Sequence, residues 1–295
     1  MIGSYLKLNH GVDMPDVGLG VYQSRGDEAI AAVETALEIG YRLIDSAAAY
    51  FNEEQVGEAI RHGGVDRSEL FVTTKLWVSD YGYDQALHAF DRSTRKLGLD
   101  QLDLYLLHWP VPTQFDKTVA SWKAAERLLA EGRVRAIGVC NFSPKDLDAL
   151  IAQTDVVPSV NQVELHPFFS QPALRDANRQ HGIITQAWSP IGGVNRYFGG
   201  QRTSDDPLHH PFITGLAQKY GKTPAQVILR WQIELGNAVI PKSVHAARIR
   251  ENAAIFDFRL EIGEVESINS LDRDKRGGPD PEQVSPEMFD FRIPD

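Results

Sequence analysis

Leu102-Asp103-Leu104-Tyr105-Leu106-Leu107 runs straight into His108-Trp109-Pro110. A short apolar run of this length reads as a buried strand, and it ends on residues able to do chemistry. The same figure recurs along the chain. Runs of this kind begin near Val17, Arg42, Leu70, Leu102, Val134, Val160, Ile183 and Asn237, and successive starts lie 25, 28, 32, 32, 26, 23 and 54 positions apart. The segments between them carry helical spacing. Glu28 to Ile39 places Ile30, Val33, Ala36 and Leu37 on one face, and Asp84 to Leu97 and Val119 to Leu129 read alike. Asn52-Glu53-Glu54-Gln55 has the form of a capping box, with the Asn52 side chain accepting from the first turn. Thr223-Pro224-Ala225-Gln226 repeats that form with proline at the first helical position. Ser143-Pro144 is a third helix start.

Strands alternating with helices predict a parallel sheet, and eight strands are enough to close one into a barrel. The competing arrangement is an open doubly wound sheet, which binds dinucleotides through a Gly-x-Gly-x-x-Gly turn after its first strand. Here Gly18-Leu19-Gly20 is followed by Val21-Tyr22-Gln23, so the third glycine is missing. The expected fold is α/β: a single (β/α)8 (TIM) barrel domain over residues 1–295. Tyr5 to Leu8 and a partner near Asp13, joined through His10-Gly11, form an N-terminal β-hairpin that closes the barrel floor. The long last interval leaves room for extra structure. Within it Gly192 to Pro211 reads as an elaborated loop at the C-terminal face.

Bulk properties narrow the function. The net charge of −10 argues against nucleic acid or anionic membrane as a partner. One cysteine, Cys140, rules out a disulfide within the chain. The first residues lack the apolar core of a signal peptide, and no apolar run approaches membrane-spanning length. A cytoplasmic location is expected. His209-His210 has no third partner in pattern and reads as polar surface, so no metal is expected.

In barrel enzymes the reacting groups sit at the C-terminal ends of strands. After the second run come Asp45 and then Tyr50; the third ends in Lys75; the fourth ends in His108. The later runs pass into Asn161-Gln162-Val163-Glu164, Trp188-Ser189-Pro190 and Ile240-Pro241-Lys242-Ser243. Singly, each residue has an ordinary reading: Asp45 as a cap, Tyr50 as packing, Lys75 as a solvated cation, His108 as a structural histidine. Together at consecutive strand ends they suit carbonyl reduction. The oxygen gains negative charge as hydride arrives, and a proton must be donated to it. A free tyrosine has a pKa of about 10, and a neighbouring ammonium lowers it. Lys75 is placed to do this, with Asp45 holding Lys75 and His108 orienting the carbonyl oxygen.

These motifs resemble the aldo-keto reductase superfamily over nearly the whole chain, and Trp188 resembles the bacterial branch typified by 2,5-diketo-D-gluconate reductases. Gly40-Tyr41-Arg42-Leu43-Ile44-Asp45 with Tyr50 and Asn52-Glu53-Glu54 is similar to its first signature. Thr73-Thr74-Lys75-Leu76-Trp77, the Asp103 to Pro110 segment, Gly138-Val139-Cys140-Asn141-Phe142, Asn161 to Pro167 and Ile240-Pro241-Lys242-Ser243-Val244 supply the rest. The resemblance implies an NADPH-dependent reductase of aldehydes or ketones, including dicarbonyls and keto-sugars, that works as a monomer. It implies a tetrad of Asp45, Tyr50, Lys75 and His108 with Tyr50 as general acid. It implies that Asn141 and Gln162 hold the nicotinamide carboxamide and that Trp188, followed by Ser189, carries the ring. Lys242, Ser243, Val244 and Arg248 fall at the adenosine 2′-phosphate, and Glu251 and Asn252 at the adenine.

Two residues depart from the pattern. Cys140 stands where many relatives have serine, and a thiol is a weaker hydrogen-bond donor. His245 stands where close relatives often have arginine. Histidine is mostly uncharged near neutral pH, so a relaxed preference for NADPH, with some use of NADH, is expected. Tyr22, Phe51, Trp77 and Trp109 are the expected walls of the substrate pocket. The tail around Phe289 and Phe291 either closes over them or pins itself to the barrel. Two rival readings are a non-catalytic dinucleotide-binding module and a Schiff-base lyase using Lys75 or Lys242.

Overall fold

In a computed structural model, which describes residues 2–193, 206–289 and 291–294, each apolar run becomes a strand of one sheet. The chain opens with an antiparallel hairpin, β1 (Tyr5–Lys7) and β2 (Asp13–Pro15). The barrel follows in sequence order: β3 (Gly18–Gly20), α1 (Gly26–Ile39), β4 (Leu43–Asp45), α2 (Glu53–His62), β5 (Phe71–Leu76) and α3 (Tyr83–Leu97). Next come β6 (Leu102–Leu107), α4 (Phe115–Ala130), β7 (Val134–Cys140), α5 (Pro144–Ile151), β8 (Val160–Glu164), α6 (Pro172–Gln180) and β9 (Ile184–Trp188). The long last interval holds α7 (Pro211–Tyr220) and α8 (Pro224–Glu234) before β10 (Ala238–Val239), and α9 (Ala246–Ala253) and α10 (Ile262–Asn269) complete the helices.

Strands β3 to β10 pair in chain order, all parallel. Parallel bridges Val17↔Val239 and Gly20↔Lys242 bring the two ends of the sheet together. Close packing within the barrel explains the two glycines of Gly18-Leu19-Gly20. A Cβ on Gly20 would stand 2.8 Å from the Ile240 carbonyl oxygen, and one on Gly18 would meet Leu43 at 2.1 Å. Gly20 lets the two sides of the seam approach, and Gly18 makes room for the Leu43 side chain of neighbouring β4.

Alternation along the strands separates two cores. Leu43, Phe71, Leu104, Leu106, Ala136, Cys140, Val160 and Ala238 point inward, and Leu8 and Met14 of the hairpin plug them from below. Ile44, Val72, Tyr105, Ile137 and Val139 point outward under the helices. The same parity carries Asp45, Lys75, His108, Gln162 and Trp188 to the inside.

The Thr223 box forms as expected with Gln226 as the reciprocal partner, and Ser143, expected as a helix start, makes a capping box with Asp146 as well. Asn52 does not cap α2 with its side chain. It is buried, donates to the carbonyls of Val21 and Ser24 at 2.8 and 2.9 Å, and accepts from Ser46 Oγ at 2.9 Å. Two loop carbonyls in the buried interior claim the amide more strongly than a half-solvated helix end does. Most of the Gly192 to Pro211 loop, residues 194–205, lies outside the described residues. Asn52→Ala takes a donor from both carbonyls and leaves Val21 with only the Ser24 N–H, so urea unfolding should show a loss of about 2 kcal/mol; an unchanged midpoint would contradict this role.

Candidate active site

At the upper rim of the barrel the four expected residues converge. Lys75, fully buried on β5, donates through Nζ to Asp45 Oδ2 at 2.6 Å, to the Ser46 carbonyl at 2.8 Å and to Tyr50 Oη at 3.2 Å. The register that pairs Asp45 with Thr73 sets Lys75 two residues higher on the same inner face. Tyr50 reaches it from the short 3-10 turn Ala48–Tyr50 that follows β4. Two positions beyond inward-facing Leu106, His108 continues the ladder by donating its N–H to the Leu76 carbonyl at 3.2 Å. Its ring lies 5.9 Å from that of Tyr50, centroid to centroid.

Burial dominates the protonation states. It pushes the Tyr50 phenol well above its ordinary value; the Lys75 ammonium pulls the other way and the Asp45 carboxylate adds to the rise. The expectation that Lys75 brings the phenol below its usual pKa therefore fails for the chain alone, because desolvation outweighs the ammonium. Burial would depress Lys75, but Asp45 and then Tyr50 overcome it and keep the ammonium charged. Burial and then Lys75 drive His108 well below the usual histidine value, so its ring is neutral. Cys140, on the inner face of β7, is pushed up by burial and stays a thiol.

Gln162 on β8 spends both its N–H groups, on Asp45 Oδ1 at 2.7 Å and Gln186 Oε1 at 2.8 Å, which leaves its oxygen as an acceptor. Asn141, held at φ 63°, donates to the His108 carbonyl at 3.1 Å and accepts from Trp188 Nε1 at 2.9 Å, keeping a second N–H. One free acceptor and one free donor beside a half-buried indole match the hydrogen-bonding capacity of a carboxamide. Ser189 follows at φ 47°. Further round, Lys242, Ser243 and Val244 lead into α9, whose exposed first turn bears Arg248. Ser243 Oγ accepts from the His245 N–H at 3.1 Å. Burial lowers the Lys242 pKa, opposed by Glu28. Glu251 accepts from Thr223 Oγ1 at 2.6 Å and Asn252 is buried behind it, so the α8 cap and the second half of α9 are locked together.

The four expected pocket residues surround this site unequally. Tyr22 packs edge-on to Tyr50 at 5.0 Å, Trp77 edge-on to His108 at 5.1 Å, and Trp109 parallel to His108 at 6.3 Å. Phe51 is 52% exposed and meets Phe291 instead. Phe289 and Phe291 both lie on Trp77, at 4.6 and 5.2 Å, so the tail borders the pocket while being pinned to the barrel. The histidine pair is used at helix ends: His209 lies 3.0 Å from Asp206, and His210 accepts from the Phe212 N–H. Among the described residues no three potential metal ligands come together, and no helix is long and apolar enough to cross a membrane.

Sequence reasoning missed three supports. Tyr81 Oη donates to the Trp109 carbonyl at 2.6 Å and accepts from its N–H at 3.2 Å. Gln186 holds Gln162. Glu164 binds the C-terminal tail. Of these Gln186 and Glu164 carried a signal, as polar residues on the inward phase of their strands.

Residues 16–273 match the Aldo/keto reductase family. Morphine 6-dehydrogenase of Pseudomonas putida is 52% identical over 96% of both chains. Methylglyoxal reductase DkgA of Escherichia coli is 48% identical, covering 94% of this chain and 97% of its own. The crystal structure of a Bombyx mori aldo-keto reductase in complex with NADP superposes with a TM-score of 0.85 at 38% identity, over 95% of this chain and 96% of that one. On the match from residue 16 to residue 273 and identities near one half, this chain belongs to the aldo/keto reductase family.

Proposed function

We propose that the chain is an NADPH-dependent reductase of aldehydes and ketones in which Tyr50 delivers the proton. The observation that carries this is Lys75 Nζ standing between Asp45 and Tyr50, beside a neutral His108, at the inner rim of the barrel. NADPH, when bound, supplies the hydride. Asn141 and Gln162 would meet its carboxamide and Trp188 with Ser189 its ring. Lys242, Ser243, Val244 and Arg248 would take the 2′-phosphate, and Glu251 and Asn252 the adenine. The first backbone amides of α9 add their dipoles to that phosphate site.

Tyr50 keeps its proton until the substrate oxygen becomes basic, since burial holds the phenol protonated. As the proton leaves, the phenolate forms 3.2 Å from an ammonium that cannot easily lose its charge. His108 retains one N–H and can orient the carbonyl oxygen without competing for the proton. The same charge state disfavours Lys75 as a Schiff-base nucleophile, because an ammonium held by a carboxylate is not a nucleophile.

The aromatic surroundings suit carbonyl compounds with apolar faces. Relatives named for morphine and for methylglyoxal set the limits of a sensible panel. The net charge of −10 supports a small molecule rather than nucleic acid as the partner, and we infer that the enzyme is monomeric and cytoplasmic.

NADPH oxidation should be followed at its absorbance band with methylglyoxal, an aromatic aldehyde and a polycyclic ketone. Turnover by the wild type and a fall of about a thousandfold in Tyr50→Phe are expected; NADPH binding without turnover of any carbonyl would move the chain to the binding-module reading. With His245 in place of a cation, kcat/KM for NADPH should exceed that for NADH by only about tenfold, and a ratio in the thousands would overturn that expectation.

A further inference from the structure

The carboxylate of Glu164, fully buried at the end of β8, has no counterpart in the chemistry above. It accepts the Gly277 N–H on Oε1 at 2.7 Å and the Gly278 N–H on Oε2 at 2.8 Å, with His166 Nε2 3.1 Å from Oε1. The acceptor is thus spent on the root of the C-terminal tail. That root is also fixed from below. The Arg273 and Lys275 N–H groups donate to the Phe168 carbonyl, each at 3.1 Å, and the Arg276 guanidinium lies 4.6 Å over the Phe169 ring.

The root touches Trp188. A Cβ on Gly278 would stand 2.7 Å from Trp188 Cη2 and 3.0 Å from Glu164 Oε2. Glu164 and Trp188 are partners in the β8–β9 register. The indole is therefore held at both ends: its Nε1 by Asn141 Oδ1 and its far edge by the Gly278 backbone, which Glu164 holds in turn. Only glycine fits between the carboxylate and the indole.

We propose that Glu164 is a positioning residue, which latches Gly277 and Gly278 against Trp188 and so fixes the platform for the nicotinamide ring. This rests on Trp188 carrying that ring. The latch does not touch α9, so its loss should spare the adenosine half of the site.

The test is calorimetric. NADPH and 2′-phospho-ADP-ribose, the same molecule without its nicotinamide, are titrated into the wild type, Glu164→Gln, Gly278→Ala and the double variant. Gln at 164 turns one acceptor into a donor facing a backbone N–H; Ala at 278 pushes the root off the indole and alters no barrel residue. Both single variants should weaken NADPH about tenfold and leave 2′-phospho-ADP-ribose within about twofold. The double variant should be no worse than either single one, because both break the same chain of contacts. Equal weakening of the two ligands, additive effects, or no change in NADPH would overturn the latch. Should Glu164→Gln fail to fold, Gly278→Ala decides alone. A wild type that binds the two ligands equally would instead remove Trp188 as the ring platform, and so fault the underlying reading rather than the latch.

Discussion

A lysine and an aspartate with essentially no solvent exposure lie 2.6 Å apart inside the barrel, and the rest of the site follows from keeping them there. Burying either charge alone costs several kcal/mol, about as much as a small domain's margin of stability. The chain meets this by saturating both groups. The ammonium also reaches the Ser46 carbonyl and Tyr50; the carboxylate also accepts from Gln162, which Gln186 steadies. Asp45, Ser46 and Tyr50 come from the end of β4 and the turn after it, Lys75 from β5, Gln162 from β8 and Gln186 from β9. Only a closed barrel, with inward positions alternating along every strand, gathers them round one point. The fold and the ion pair are in that sense one constraint.

Under the proposed function, the pair also explains how a phenol pushed up by burial would remain useful. A proton donor for an incipient alkoxide must keep its proton beforehand and release it when the oxygen turns basic. Desolvation provides the first property and the adjacent ammonium the second. His108 is neutral for the same two reasons, burial and the Lys75 charge, so one cation sets the state of both neighbours.

Much of this was legible in the sequence. The spacing of the apolar runs gave the strands, and what followed each run gave Asp45, Tyr50, Lys75 and His108, because strand parity is a local property. What failed was long-range or competitive. Asn52 carried a capping pattern, yet the carbonyls of Val21 and Ser24, about thirty residues away in the chain, claimed its amide. The direction of the Tyr50 shift depended on how much solvent the finished barrel excludes, which no motif encodes. Gly18 and Gly20, read in the sequence only as an incomplete nucleotide fingerprint, make room for Leu43 and for the closing seam. The role of Glu164 appears only when residue 278 returns to residue 164, more than a hundred positions later.

The most direct test replaces the buried pair by uncharged residues of similar shape, Lys75→Met with Asp45→Asn, and measures the single-turnover rate of NADPH oxidation on a carbonyl substrate. Removing both charges together avoids leaving one of them buried and unpaired. A folded double variant that binds NADPH but whose single-turnover rate falls by about a thousandfold is the outcome this account predicts. A rate within about tenfold of the wild type would contradict it and show that the phenol needs no ammonium beside it.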